Sequence, residues 1–375
     1  MELELDDDQQ LFRSTTRRFI EKESPLTAVR ELHDAGGGFD PAYWRAGCEL
    51  GWAAMLVPEA DGGGTISGHG LVDLTIVAEE MGRLVAPGPL ATVNVVADTL
   101  GRRGDARQRA ELLGPLTTGE CVATWAFSEP SGHWDAASVV LTANRQGDRW
   151  VLDGTKAFVA DADVAEVFLV TARTGDALTQ FLVPRTADGV TVVPRGSLDM
   201  VRHFADVVFA SVTVSATDVV GNVGGAGDDV ERQLQVALVL QNAETVGAVD
   251  HVLEFTIDYA RDRIAFGRPI ASYQALKHRF ADLKMWSEAC LATAAVSARA
   301  VQAEAPNASE LASVAKAYIA DRAPAIVQDC VQLHGGIGVT WEHDLHLYLR
   351  RVAQNAALYG SARDHRERTA ALLGM

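Results

Sequence analysis

The chain has 375 residues, of which 48% are hydrophobic and 22% are charged, and its formal net charge is −17. This length provides for more than one hydrophobic core, so we expect two or three domains. The acidic balance argues against nucleic-acid binding, because such a surface needs a basic patch.

Membrane insertion and metal binding are not expected either. No apolar run reaches the roughly 18 residues that cross a bilayer, and the acidic segment Met1–Asp8 is unlike a signal peptide. We therefore expect a cytoplasmic protein. The four cysteines lack CxxC spacing, which indicates small core residues rather than zinc ligands or disulfides.

Residues 1–121 are predicted to form an N-terminal helical domain. Apolar residues recur at helical spacing within Leu11–Ile20, and a second apolar helix is predicted over Leu71–Met81. This second helix carries Glu79 and Glu80. We interpret the pair as a solvated helix edge, and the alternative is that it lines a pocket.

Residues 122–225 are predicted to form a middle β domain, because the apolar period changes there from 3.6 to 2. Short β-branched runs follow one another without a helix-length connection, which predicts an antiparallel barrel or sandwich. The runs are Ser138–Ala143, Arg149–Gly154, Ala165–Ala172, Thr179–Pro184, Val190–Pro194 and Ala205–Ala210.

Residues 226–375 are predicted to be helical again. Long helices are expected over Val230–Tyr259, Ala275–Glu304 and Ser309–Gln332. Between the first two, the helix breaks at Phe266–Pro269 and a new helix starts.

That break is a candidate anion site. Arg261, Arg263 and Arg268 crowd together in an otherwise acidic chain, and a guanidinium can hold two phosphate oxygens. Gln274 and the first N–H groups of the next helix could complete a pyrophosphate cradle. An arginine-rich helix end on its own is more often a solvated surface.

Two motifs carry a resemblance to a known family. Arg263-x-x-Phe266-Gly-x-Pro, followed by Gln274, resembles the cofactor signature of acyl-CoA dehydrogenases, and Gln332-Leu-His-Gly-Gly336 resembles their second signature. The resemblance implies an α+β fold with an N-terminal helical domain, a middle antiparallel β-barrel or sandwich and a C-terminal four-helix bundle. It also implies α,β-dehydrogenation of an acyl-CoA by FAD, with electrons passed to an acceptor.

The same resemblance implies which residues contact FAD. They are Trp125, Phe127, Ser128, Phe158, Arg263, Phe266, Ile270, Tyr273, Gln274, Gln332, His334, Gly335 and Gly336. The last four would serve the cofactor of a neighbouring subunit, which implies a homodimer or tetramer. Two positions depart from the family: Phe158 replaces the usual tryptophan beside the flavin, and Ala160 replaces a threonine.

The catalytic base is the largest departure. Gly360 stands after Tyr359, where most members carry a glutamate, and the alternative helical position counts to Ala237. Glu244 is the acid left on that helical face, about 10 Å further along the axis. Its apolar neighbours predict a raised pKa, which suits a base. The alternative is that Glu244 pairs with an arginine or lysine of an adjacent helix.

Two functional hypotheses follow from the resemblance. In the first, the chain is an active dehydrogenase that uses Glu244 or another acid. In the second, it is a catalytically silent subunit that shares FAD with, or supports, an active partner. The segment Ser361–Arg366 resembles the branch of actinobacterial-type sterol and fatty-acid dehydrogenases, in which two unlike subunits form heterotetramers.

Overall fold

The N-terminal part of the chain is helical in the computed structural model, which describes residues 4–375. Helix α1 begins behind Asp6, whose side chain and that of Gln9 form a capping box. The six helices are α1 (Asp7–Glu23), α2 (Leu26–Asp34), α3 (Pro41–Glu49), α4 (Gly70–Arg83), α5 (Leu90–Arg103) and α6 (Ala106–Thr118). The predicted apolar helix over Leu71–Met81 is confirmed as α4.

The middle part is one sheet of eight strands. They are β1 (Ala123–Ala126), β2 (Thr142–Gln146), β3 (Arg149–Ala160), β4 (Val167–Thr174), β5 (Ala177–Pro184), β6 (Val190–Arg195), β7 (Phe204–Ser215) and β8 (Val219–Val220). The order is β6-β7-β3-β2-β4-β5-β8, with β1 beside β4. The run predicted from Ser138 becomes a strand only at Thr142.

The antiparallel prediction holds for most neighbouring strands and is wrong at two places. β1 runs parallel to β4 over four residue pairs, and β2 meets β4 in parallel at one pair. A parallel pair needs a long crossover connection. The β2–β3 hairpin, which lies between β1 and β4 in the chain, provides one.

The C-terminal part contains five helices rather than the predicted four. They are α7 (Gly227–Asp262), α8 (Gln274–Gln302), α9 (Ala308–His334), α10 (Leu345–Ala357) and α11 (Ala362–Leu372), and a small hairpin of β9 (Ile264–Ala265) and β10 (Arg268–Pro269) joins the first two. The additional helix arises because the chain turns at Gly360, where φ is 104°, and restarts behind a Ser361 cap.

Helix α4 joins the N-terminal helices to the long helix α7. The two helices cross at Gly82 and Gly247, where a Cβ atom would lie 1.9 Å from the Glu244 carbonyl oxygen and 2.0 Å from the Glu79 carbonyl oxygen, respectively. Only glycine permits so close a backbone approach. The crossing therefore fixes which side chains of α4 and α7 face each cavity beside them.

The solvated-edge interpretation of Glu79 and Glu80 is wrong. Helix α1 packs on α4, and Glu80 is only 2% exposed, with an oxygen 2.8 Å from Nε of Arg17. Glu79 pairs with Arg13, and burial raises the pKa of Glu79 to about 7. Amphipathic spacing alone could not show that a second charged helix covers this face.

Two further expectations concern the cysteines and membrane-spanning helices. All four cysteines are free and buried, which confirms them as core residues. Within residues 4–375, no helix has both the length and the apolarity to cross a membrane.

Candidate active site

The predicted anion corner lies at an exposed end of the C-terminal helices. α7 ends at Asp262, and the amide of Ile270 donates to the Arg263 carbonyl at 2.9 Å, which closes the β9–β10 hairpin. Phe266 forms its tip with φ of 53° and is 97% exposed. An apolar ring held in this conformation outside any core is typical of a binding contact.

The second signature meets this corner through aromatic stacking. The ring of His334 stacks on Tyr259 at 4.3 Å, and the Tyr259 hydroxyl donates to the His334 carbonyl at 3.3 Å. Just beyond, Gly335 has φ of 64°, and neither Gly335 nor Gly336 has an atom within 4 Å of a Cβ built on it. The space in front of both glycines is therefore open, although the Gly335 amide itself donates to the Gln332 carbonyl.

The side chains at this corner divide into supports and free groups. Arg268 lies over the Tyr273 ring at 4.0 Å, and the Tyr273 hydroxyl donates to the Ala265 carbonyl at 2.9 Å. His334 is buried, and burial lowers its pKa. Arg268 itself is exposed, as are the side chains of Arg263, Gln274 and Gln332.

Apart from Phe158, the residues of the sheet that were predicted to contact the flavin are buried. Trp125 and Phe127 are buried and stack on each other at 5.0 Å, and Trp134 packs against both. Tyr359 meets Trp134 edge-on at 4.9 Å. The hydroxyl of Ser128 is also buried and reaches only the His133 carbonyl, at 3.5 Å.

Phe158, the residue in place of the usual tryptophan, is partly covered by another side chain. It has φ of 54°, which is unusual for a bulky residue. The guanidinium of Arg195 lies 4.7 Å from the ring centre. One face of the ring is therefore occupied by a cation from strand β6.

Glu244 lies in a cationic network rather than in the apolar surroundings expected for it. Its carboxylate accepts from Arg351 at 2.8 Å, from Arg202 at 2.7 Å and from Asn355 at 2.9 Å. Arg351 is fully buried and also pairs with Asp199. The pairing with an arginine of an adjacent helix, weighed as the alternative for Glu244, is what the structure shows.

The charges of this network reinforce one another. Burial opposes ionisation of Arg351 and Asp199, but their pairing keeps the pKa of the arginine above its usual value and that of the aspartate below it. The Glu244 carboxylate is engaged by two guanidinium groups and by the Asn355 amide. The role of Glu244 as a base stays a prediction.

The cavity beside Glu244 is small. It has a volume of about 40 Å³ and is lined by residues that include Thr92, Asp161, Arg202 and Tyr359. Pockets for small molecules usually have several hundred Å³. Asp161 is the second carboxylate here; burial raises its pKa to about 6, and Thr92 donates to it at 3.2 Å.

Buried side chains hold the backbone of the turn at Gly360, where the family's glutamate is missing. The ammonium of Lys316, fully buried, donates to the carbonyls of Leu358, at 2.8 Å, and Asn355. His365 contacts the Tyr359 carbonyl at 2.9 Å through Nε2. A Cβ atom on Gly360 would lie 2.9 Å from that same Nε2.

Comparisons with known proteins match the whole chain. The family descriptions "Acyl-CoA dehydrogenase, N-terminal domain", "middle domain" and "C-terminal domain" match residues 6–120, 124–212 and 225–373. The chain belongs to the acyl-CoA dehydrogenase family. Members of the family are FAD-dependent oxidoreductases that dehydrogenate acyl-CoA thioesters, and the predicted family, fold and class of reaction are thereby confirmed.

Individual relatives of this acyl-CoA dehydrogenase agree over nearly their full lengths. "Acyl-CoA dehydrogenase IpdE2" of Mycolicibacterium smegmatis is 32% identical, with 97% of this chain and 98% of that protein covered. Butyryl-CoA dehydrogenase from Megasphaera elsdenii has the same fold, with a TM-score of 0.93, 24% identity and complete coverage of both chains. A variant of the Tcur3481-Tcur3483 steroid ACAD has a TM-score of 0.88, 28% identity and 98% coverage of both chains.

The residues of this acyl-CoA dehydrogenase fit FAD unequally. The open space at Gly335 and Gly336, the exposed Arg263 and the free ring of Phe266 fit a diphosphate and its adenosine. The sheet side is more closed, because Trp125 and Phe127 are buried and pack against Trp134.

Sequence reasoning missed the partners of Glu244. On the sequence alone, Arg350–Arg351 is a charge run typical of solvated or interface residues, but Arg351 is fully buried. Asp199, Arg202 and Asn355 were not singled out. The one available signal was the Arg350–Arg351 pair within an amphipathic helix, because such spacing points one of two adjacent residues inward.

Proposed function

We propose that this chain takes part in FAD-dependent α,β-dehydrogenation of an acyl-CoA as one subunit of a heteromer, beside an unlike chain that supplies the base. The observation that carries the proposal is the pairing of Glu244 with Arg351 and Arg202 next to a turn where Gly360 replaces the usual acid. Neither position presents a free carboxylate to an α-proton.

The exposed corner supports a shared cofactor. Arg263 would pair with the diphosphate of FAD, with Gln274 and Gln332 beside it, the Gly336 amide approaching its oxygens and Gly335 leaving room for that approach. The supporting contacts come from Phe266, Ile270, Tyr273 and His334. When bound, FAD accepts the hydride from the β-carbon, and an electron acceptor must then reoxidise it.

A homomer supports this chemistry less well. A second copy of the chain would carry the same Gly360, the same paired Glu244 and the same Trp134 over Trp125 and Phe127. Each site would therefore lack a free acid at either of these two positions. An unlike subunit with a glutamate after its own tyrosine and an open flavin face would complete the site.

The test compares the chain alone with the chain expressed beside a family member of the same source that retains that glutamate. Each preparation is examined by its flavin absorbance and by anaerobic bleaching with acyl-CoA esters, beginning with a steroid-derived ester because of the likeness to a steroid ACAD. We expect no bleaching from the chain alone and bleaching from the pair.

The competing hypothesis gives the opposite pattern. If the chain alone retains flavin that bleaches with an ester, and Glu244→Gln abolishes the bleaching without loss of flavin, the chain is an active dehydrogenase with Glu244 as its base. A matched variant of the partner, with its glutamate changed to glutamine, checks that the pair's activity depends on the partner's acid.

A further inference from the structure

A second and much larger cavity lies on the opposite side of the α4–α7 pair. Its volume is about 670 Å³, and it is bounded by α1, α4, α7 and α8. The cavity beside Glu244 is lined from other positions of the same two helices. Since the backbones of α4 and α7 touch at Gly82 and Gly247, no channel joins the two cavities at this crossing.

Charged side chains at one end of this cleft pair with one another. Arg17 pairs with Glu80, and Arg83 with Asp250 at 2.8 Å. Lys284 pairs with Glu288 at 2.7 Å and closes the same end. A ligand at this end would meet charges that already have partners.

Arg299 at the other end differs from these residues. Its Nη1 atom is buried and has no hydrogen-bond partner anywhere in residues 4–375. A buried N–H without an acceptor destabilises the folded protein. Guanidinium groups are satisfied best by a carboxylate or phosphate oxygen pair. The cleft therefore contains an uncompensated anion-binding group.

The wall between the two ends is apolar and made of small side chains. Ala292, Ala295 and Ala298 of α8 face Val246 of α7 and Ile76 of α4 across the cleft. A rise of 1.5 Å per residue places Lys284 and Arg299 about 22 Å apart along α8. Small side chains over that length leave room for an extended alkyl chain, and the cavity volume lies within the range of small-molecule sites.

We propose that this cleft binds a single-chain anionic amphiphile, with its head group on Arg299 and its alkyl chain along the alanine wall of α8. The site is separate from the FAD corner and does not depend on the proposed subunit role. Its ligand class is defined by the Arg299 cation, an apolar groove and a far end whose charges are paired, and the exposed Glu4 also lines the cleft.

Isothermal titration calorimetry of the full chain tests this site with dodecanoate and dodecyl phosphate, which separate a carboxylate head from a phosphate head. We expect saturable binding of at least one, weakened at least tenfold by Arg299→Met. Ala295→Phe fills the groove but keeps the Arg299 guanidinium, so it should weaken the binding of both amphiphiles. Arg363→Met, at a position 84% exposed on α11, is the matched control and should bind as the unchanged chain does.

Three results would overturn the proposal. They are the absence of saturable binding to the unchanged chain, unaltered affinity in Arg299→Met, and equal affinity for dodecanol, which has the tail without the charge. Circular dichroism and the midpoint of thermal unfolding establish that each variant is folded. If Arg299→Met does not fold, Arg299→Lys and Ala295→Phe test the charge and the groove.

Discussion

Gly360 follows Tyr359 at the turn between α10 and α11, at the position where the family's glutamate usually lies. Its φ of 104° belongs to the region that favours glycine, and an added Cβ would press on the ring of His365. Two physical constraints, backbone conformation and space, therefore oppose any side chain here. The absence of an acid at this position therefore follows from the local backbone and packing, and not from the residue type alone.

Gly360→Glu is therefore expected to lower stability without creating acyl-CoA-dependent flavin reduction. The backbone strain alone should cost about 1–3 kcal/mol of unfolding free energy, measured by urea titration. Gly360→Ala shares the strain without the charge and should lose a similar amount. A Gly360→Glu chain as stable as the unchanged one, with flavin that bleaches in acyl-CoA, would contradict this account.

Glu244 gives a second prediction at the same scale. Glu244→Gln leaves Arg351 buried with one fewer counter-charge, so we expect a loss of about 3–5 kcal/mol in unfolding free energy. Glu367→Gln, at an exposed ion pair with Arg363 on α11, is the matched control and should change stability by less than about 0.5 kcal/mol. If Glu244 were a base without a structural role, its replacement would leave the urea midpoint unchanged.

Helix packing determines how the two cavities are divided. α4 and α7 approach so closely at Gly82 and Gly247 that side chains of the two helices separate to opposite sides. One side holds Glu244 and the small cavity, and the other holds the amphiphile cleft proposed above. The crossing is therefore the structural element on which both sites depend.

Gly82→Ala and Gly247→Ala test this crossing, because the direction in which they change stability depends on it. In a free helix alanine is more favourable than glycine by about 1 kcal/mol, but here each Cβ would overlap a carbonyl oxygen of the other helix. We expect both variants to be destabilised in urea unfolding. Gly114→Ala in α6, where no atom lies within 4 Å of the added Cβ, should be stabilised instead.

At the scale of the whole molecule, a histidine joins the helical N-terminal part to the sheet. His203 precedes β7; its Nδ1 bonds Asp163 and its Nε2 bonds the Gly36 carbonyl at 2.9 Å. Both nitrogens therefore face acceptors, and the bond with Asp163 raises the pKa of His203. The charge of Asp161 also raises the pKa of His203.

This contact predicts a pH dependence of stability. The folded state holds the His203 proton more tightly than the unfolded state, so the contribution is complete below the ordinary histidine pKa of about 6.5 and is lost as pH rises through the higher folded value. The unfolding free energies of the unchanged chain and of His203→Gln should therefore converge with rising pH. The exposed His69→Gln serves as control; a constant difference for His203→Gln would count against the assignment.

The amino-acid sequence by itself determined the order of helices and strands, the family and the position of the corner proposed to bind FAD. Periodicity and short motifs are local properties, and the corner is built from two such motifs joined by the Tyr259–His334 stack.

Only the tertiary structure decided the environment of the acids. Glu244 meets an arginine 107 residues away in the chain, and Glu80 meets another 63 residues away. Spacing along a single helix places both carboxylates on a face but does not show what packs against that face. The same reason explains why Trp134 over the predicted flavin contacts, and the cleft with Arg299, could be found only once the helices and the sheet were assembled.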